Sequence, residues 1–587
     1  MKREKIRKNK KREYNSDIPS KCAEMPDTIV GILQRGVRGA MVVTDHKQIK
    51  TDIQISSSRI GMADYGDKVL VRLLKWRRNS RYPEGEVIDI LGAAGENETE
   101  MNAILAEYGL PYGYPEELTL EAEKISDGID QQELLRRYDM RDVATFTIDP
   151  EDAKDFDDAL SVRHLDNDLI EVGVHIADVT HYVKPDTAID KEAYSRATSV
   201  YLVDRTVPML PEHLCNEVCS LRPDEDKLTF SVIFTLNQEA EVQKYSIKKT
   251  CIRSDKRFTY EQAQAILDSG NGVFAEELTQ LNMLARKLRQ KRFEHGSIAF
   301  ERDEVKFRLD EQQKPIGVYF KHPMDANYLI EEFMLLANRT VAEHIGKQNK
   351  LFVYRIHDLP DPDKIRNLTA LAAQFGHNLR LNSHKQATSK NVNKLLNSVK
   401  GEACQNLIET VTIRSMAKAA YSTDNIGHYG LNFPYYTHFT SPIRRYPDIM
   451  VHRMLTKYLK SSAAFDKSMY ETMCQHCSSM EQTAANAERA SIKYKQVEFM
   501  QDKVGLQYDG IVSGVTEFGL FVELNENHCE GFLPIRELGE GFFDYNEKEF
   551  CIEDLRTGKK IQLGDKVRVE ILRTDLMRKQ LDLSLVQ

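Results

Sequence analysis

The stretch TFTIDPEDAKDFDDALSV, from Thr145 to Val162, gathers Asp149, Asp152, Asp155, Asp157 and Asp158 within ten positions, directly after an apolar, β-branched run. Two carboxylates about 5 Å apart repel by roughly 3 kcal/mol at an effective dielectric near 20. Four or five converging carboxylates therefore either face water or have cations among them. The preceding VATFTI reads as a buried strand, and Phe156 interrupts the acids, which suits a pocket better than a solvated loop. Hard oxygen donors of this kind suit Mg²⁺ or Mn²⁺. Two such ions would clamp the attacking and leaving oxygens of a phosphoryl displacement. The competing reading is turn and helix-cap aspartates. An EF-hand is excluded by the missing glycine and terminal glutamate spacing, whereas the DxD within DFDDA leaves an aspartyl-phosphate phosphatase open.

Outward from this stretch, strands come first (LIEVGVHIADV, KLTFSVIFTL) and long helical patterns later (ELTQLNMLARKLRQKRF, YLIEEFMLLANRTVAEHI), an α+β arrangement over about 141–501. Before it, 27–93 alternates short β-rich segments with Gly, Asp and Asn turns, the pattern of a small barrel. A linker and helical approach fill 94–140, and the barrel pattern returns over 504–587. GDKVLVRLL near the start and GDKVRVEIL near the end suggest two barrels of one kind, a frequent single-strand nucleic-acid reader.

The 587 residues are too many for one core. No apolar run is long enough to span a membrane, and no apolar segment follows the basic N-terminus, so the sequence predicts a cytoplasmic protein. Nine irregularly spaced cysteines suit reduced thiols. The CQHC pair, Cys474 and Cys477, has no second pair to complete a zinc site. Net charge is −9, yet residues 1–12 carry eight basic side chains, and 1–26 reads as a disordered basic tail: a nucleic-acid arm or a solubilising tail.

A second constellation, YYTHFTSPIRRYPDIMVHRML from Tyr435 to Leu455, sets Arg444 and Arg445 after Ser-Pro, where a helix is expected to start at PIRRYPD and aim both guanidiniums at an anion. Tyr435, Tyr436, Phe439 and Tyr446 around them favour a nucleotide site.

TIDPEDAKDFDDA, VHIADVTHYV, SVYLVDRTVPMLP, IEEFMLLAN and THFTSPIRRYPD, in this order, resemble the exoribonuclease II (RNB) superfamily over nearly everything from Asp27 onward. The resemblance implies a multidomain chain: an α+β RNB catalytic domain flanked in sequence by OB-type barrels, one cold-shock-like and one S1. It implies a monomer that binds single-stranded RNA and hydrolyses it from the 3′ end to 5′-mononucleotides. It also implies metal-holding and catalytic roles for Asp149, Asp155, Asp157 and Asp158, and a phosphate contact for Arg444. RNA-contacting roles fall on Tyr201, Tyr260, Glu332 and Arg445, and base stacking on Phe518 and Phe521, which a bulge at Gly519 would place on one face. Pro534 stands where S1 domains often carry histidine; Asp575 and Arg578 approximate a further polar pair. Relatives usually begin with a further helical region and barrel and end in a basic tail, so weaker duplex opening is expected of this chain. The alternative from another class is a non-catalytic RNA-binding protein that keeps the central fold as scaffold.

Overall fold

A computed structural model describes residues 27–36, 39–44, 49, 51–74, 76, 82–298, 304–384, 386–402, 404–461, 463–547 and 549–586. The expected basic tail, 1–26, lies outside them. The chain divides into two compact units at Glu107.

In the first unit, strands β1 (Thr28–Gly36), β2 (Gly39–Val43), β3 (Ile53–Ile55), β4 (Asp67–Leu73) and β5 (Glu84–Ala93) close into a barrel in the order β1-β2-β3-β5-β4, with β3 and β5 parallel. This is the OB-type topology. Alternate residues such as Ile29, Leu33, Val42, Val69 and Val71 fill its interior. The segment read as a linker is partly structural: helix Asn97–Glu107 buries Met101, Ile104 and Leu105, and Glu100 pairs with Lys68 of β4 at 2.5 Å in a buried site.

The second unit is built on a seven-stranded sheet of β6 (Tyr138–Asp139), β7 (Thr145–Asp149), β8 (Asp158–His164), β9 (Ile170–Ala177), β12 (Asp226–Leu236), β13 (Val242–Arg253) and β14 (Lys256–Thr259). A small hairpin, β10 (Val200–Tyr201) and β11 (Thr206–Val207), interrupts the series. The sheet order is β14-β7-β8-β9-β12-β13-β6. Its inner pairs are antiparallel, and both edge strands pair parallel, β14 with β7 and β6 with β13. Strands β9 and β12 are almost wholly buried, as a sheet covered on both faces requires. Phe146, Phe230, Phe234, Phe333 and Phe439 join the sheet and helices Asp325–Gly346 and Tyr446–Lys460 in one core. Burying each such ring contributes about 1.5–3 kcal/mol, and this is the reserve against which a pocket of buried charge can be held.

Hairpin β15 (Glu304–Leu309) and β16 (Pro315–Lys321) precedes the Asp325–Gly346 helix, and β17 (Tyr354–Ile356) pairs with β18 (Ala420–Ser422) across a helical insertion. That insertion, helices Pro362–Gln374, Ser389–Ser398 and Gln405–Ser415, has its own core, which Leu563 of the terminal barrel enters and against which Val515 and Phe550 pack. Helix Lys467–Phe499, capped by Asp466 accepting from Ser468 N and Met469 N, leads to the terminal barrel. Cys474 and Cys477 lie buried on this helix as packed thiols in the main core.

The terminal barrel repeats the first topology: β19 (Gln507–Thr516), β20 (Gly519–Leu524), β21 (Glu530–Pro534), β25 (Lys566–Asp575) and β26 (Gln580–Leu585) run β19-β20-β21-β26-β25, with β21 and β26 parallel. A three-stranded sheet, β22 (Phe543–Asn546), β23 (Cys551–Asp554) and β24 (Lys560–Gln562), is inserted between β21 and β25.

Candidate active site: a carboxylate pocket and its arginine

Strand geometry brings the aspartates together. Asp149 ends β7, Asp158 begins β8, and the loop between them carries Asp155 and Asp157. The loop is fixed from beneath: the buried Ser220 hydroxyl accepts from Phe156 N at 2.9 Å and donates to Lys154 O at 2.8 Å, while Phe156 O accepts from Leu221 N. Arg257 of β14 donates to Pro150 O and Glu151 O, its guanidinium 5.5 Å from the Phe156 ring centre.

Asp157 is 4% exposed. Its Oδ1 accepts from Ile443 N at 2.9 Å, and its Oδ2 lies 3.4 Å from Arg444 Nε without a hydrogen bond. Burial pushes all four acids above the usual carboxylate range. For Asp149, repulsion from Asp158 is the next cause; Thr147 and Arg257 partly offset it, although neither Thr147 Oγ1 nor Asp149 Oδ2 completes a hydrogen bond. Asp157 is pushed well above that range by burial, despite Arg444. Asp155 and Asp158 follow, each eased by Arg444. A buried carboxylate oxygen without a donor costs free energy unless a proton or cation meets it. Two such oxygens in an all-oxygen cluster fit a hard divalent ion.

The arginine is placed by segment 437–448. Asn338, the last residue of the IEEFMLLAN motif, accepts from Phe439 N at 2.8 Å. The buried Asp448 carboxylate accepts from Ser441 N and takes the Arg445 fork at 2.9 Å on each oxygen. The helix begins at Tyr446 rather than at Pro442, so both arginines precede its first turn. Arg444 Nη2 donates to Ser441 Oγ, and the side chain stays 40% exposed, whereas Arg445 points inward to Asp448. Ser199 N donates to Arg444 O and Tyr446 N to Ala197 O, which brings the β10 hairpin alongside.

Tyr201 consequently faces the site: Arg444, Asp155 and Asp157 all act on its hydroxyl, which burial pushes upward, while the residue remains 41% exposed. Tyr260 arrives from the other side. The parallel register Thr259↔Asp149 puts it beside the end of β7, and Asp158 and Asp149 reinforce the upward push of burial on its hydroxyl. Glu332 is committed elsewhere: it is buried against Arg292, with Oε1 2.5 Å from Nη2, beside a cavity of about 490 Å³ whose lining includes Arg339 and Tyr435 but none of the aspartates.

In the terminal barrel Phe518 is 69% exposed, and Phe521 lies between buried Leu520 and Val522 with its ring 5.2 Å from Phe532. Gly519 follows a tight Glu517-Phe518 turn and pairs with Pro534; the expected bulge falls instead between Val512 and Gly514. Gly519 is required because its φ is +149° and a Cβ would strike Leu533 O at 2.3 Å. Arg578 N donates to Asp575 Oδ1. The residues that sequence reasoning missed are Ser220, Arg257, Asn338 and Asp448, each of which holds backbone or charge in place.

A sheet-borne carboxylate pocket with a facing arginine, in a chain with OB-type barrels at either end of the sequence, defines a phosphodiester-cleaving class of nucleic-acid enzyme. The RNB domain model matches residues 137–461, the cold shock domain model 41–115 and the S1 RNA binding domain model 501–585. Ribonuclease R of Aquifex aeolicus (strain VF5) is 37% identical over 531 residues, 89% of this chain and 75% of the relative. Ribonuclease R of Thermotoga maritima is 36% identical over 585 residues, 95% of this chain and 82% of the relative. The structure of Mycoplasma genitalium RNase R in complex with ribose methylated single-stranded RNA superposes with a TM-score of 0.89 at 25% identity, covering 95% of this chain and 89% of that one. The chain belongs to the RNB family of divalent-metal-dependent, hydrolytic 3′-to-5′ exoribonucleases. Among the described residues no helix is long and apolar enough to cross a membrane.

Proposed function

We propose that this chain removes nucleotides from the 3′ end of single-stranded RNA in the cytoplasm, releasing 5′-mononucleotides, with Mg²⁺ or Mn²⁺ held by Asp149, Asp155, Asp157 and Asp158. The observation that carries this is the placing of four acids at the facing ends of β7 and β8 and in the loop between them, with Asp149 Oδ2 and Asp157 Oδ2 buried and without a hydrogen-bond donor among the described residues. When bound, such an ion neutralises phosphate charge and lowers the pKa of an attacking water. Arg444, fixed by Ser441, holds its positive charge ready where negative charge grows on the phosphate, and Asp157, fixed by Ile443 N, would serve by holding the ion. The Tyr201 ring supports the last base, and the Tyr260 hydroxyl serves the end of the chain. Glu332 and Arg445 act by fixing neighbours, Arg292 and Asp448, rather than by touching RNA. Phe518 and Phe521 hold the strand farther from its end. Action as a monomer is part of this reading.

The test is 5′-end-labelled RNA with Mg²⁺, before and after EDTA. Stepwise shortening that EDTA stops is expected. Retained binding without shortening would establish the non-catalytic reading, and a phosphorylated aspartate the phosphatase reading.

A further inference from the structure

Far along the sequence from the aspartates, in the helical insertion, His377, Glu402 and Cys404 present ligand atoms that all lie within 4.8 Å of one another. Ser398 Oγ lies 2.7 Å from Leu395 O and 3.0 Å from His377 Nδ1, a geometry in which it can donate to the carbonyl and accept an Nδ1–H. In that tautomer the lone pair of the neutral ring sits on Nε2, 2.9 Å from Glu402 Oε2. A lone pair and a carboxylate at that distance repel unless a cation, proton or metal, lies between them. The third group is the buried Cys404, whose thiol donates to the same oxygen at 3.8 Å from the N-cap position of helix Gln405–Ser415; burial and the Glu402 carboxylate push this thiol above its ordinary range.

We propose that His377 Nε2, Glu402 and Cys404 Sγ form a binding site for one borderline divalent ion of the Zn²⁺ class. Metal–ligand bonds of about 2.0–2.3 Å place donors roughly 3.3–3.8 Å apart in a tetrahedron, so side-chain adjustments of under 1 Å close this one. On binding, the Cys404 thiol releases its proton to solvent and Sγ donates a pair to the ion; His377 and Glu402 donate without losing protons. Ser398 is the outer partner that selects the tautomer. Glu402 is half exposed, which leaves the fourth position to water. Nitrogen and sulfur donors distinguish this ion from the hard cation of the aspartate pocket. The ion ties the loop after helix Pro362–Gln374 to the start of helix Gln405–Ser415, the helix whose Leu407 packs against Gly564 of the terminal barrel.

The test uses Co²⁺ titrated into the full chain carrying Asp157→Asn, with excess Mg²⁺ present. One equivalent giving a thiolate-to-cobalt charge-transfer band is expected, since oxygen-only sites give none. Cys404→Ser should abolish the band, His377→Gln should weaken Co²⁺ binding at least tenfold, and Ser398→Ala should weaken it about ten- to a hundredfold. Cys404→Ser in the otherwise unaltered chain should still cleave a five-nucleotide RNA at the normal rate, which shows that it is folded. Absence of the band, or its persistence in Cys404→Ser, overturns the proposal.

Discussion

Asp157 is 4% exposed and Phe518 is 69% exposed. The pocket and the terminal barrel thus invert the ordinary placement of residues, in which carboxylates face water and aromatic rings fill cores. Each inversion costs free energy, and each marks a different task. A buried charge acts through strong local fields on a bond being broken, whereas an exposed ring offers a flat surface of modest affinity to any base. Substitutions in the two regions should therefore differ in kind as well as size.

The largest effect is expected at the pocket. Asp157→Asn should slow hydrolysis at least a thousandfold, about 4 kcal/mol of transition-state stabilisation, with RNA affinity kept or raised because a charge facing phosphate is gone. Single-turnover rates and filter binding measure both, and a normal rate would break the comparison. Next come the two adjacent arginines. Arg444→Ala should cut the rate about a hundredfold in a folded protein. Arg445→Ala should instead lower the unfolding midpoint, since it strands the buried Asp448 carboxylate at a cost of about 3–5 kcal/mol. Equal loss of activity with equal stability in the two variants would contradict their assignment.

Tyr201→Ala should lengthen the shortest product rather than stop cleavage, because stacking contributes roughly 1–3 kcal/mol per base; denaturing gels of exhaustive digests show the end product. The smallest effect belongs to the barrel. Phe518→Ala should weaken binding of long RNA about five- to a hundredfold and leave five-nucleotide substrates untouched, with no change in the slope of log affinity against log salt. A point substitution is the sharper tool here, because removing the barrel would strip Leu563 from the core of the helical insertion.

The chemistry-bearing residues were legible because they are clustered and of unusual type: five aspartates in ten positions and two arginines amid four aromatics are patterns in themselves. The barrels were legible from strand period and turns. Positioning residues left no such trace. Ser220 in CSLRPDEDK is an ordinary serine until the chain folds its hydroxyl under Phe156. In Glu331-Glu332 the two neighbours differ by about 100° around a helix, and only packing against Arg292 shows that Glu332 is the inward one. The helix start was misplaced because Ser-Pro is a good N-terminal signal, and Asp448, three residues after Arg445, overrode it by holding Ser441 N and the guanidinium together. Parallel pairing of β14 with β7 joins segments more than a hundred residues apart, which no local period encodes.

The hydrogen bond from Ile443 N to Asp157 spans 286 positions of sequence. During synthesis at about 5–20 residues per second, the acids leave the ribosome some 15 to 60 seconds before the arginine loop that completes their pocket. Throughout that interval the nascent chain carries the carboxylates but lacks Arg444 and the backbone donor that fixes Asp157. The pocket proposed for cleavage is therefore complete only once Arg444 has been made.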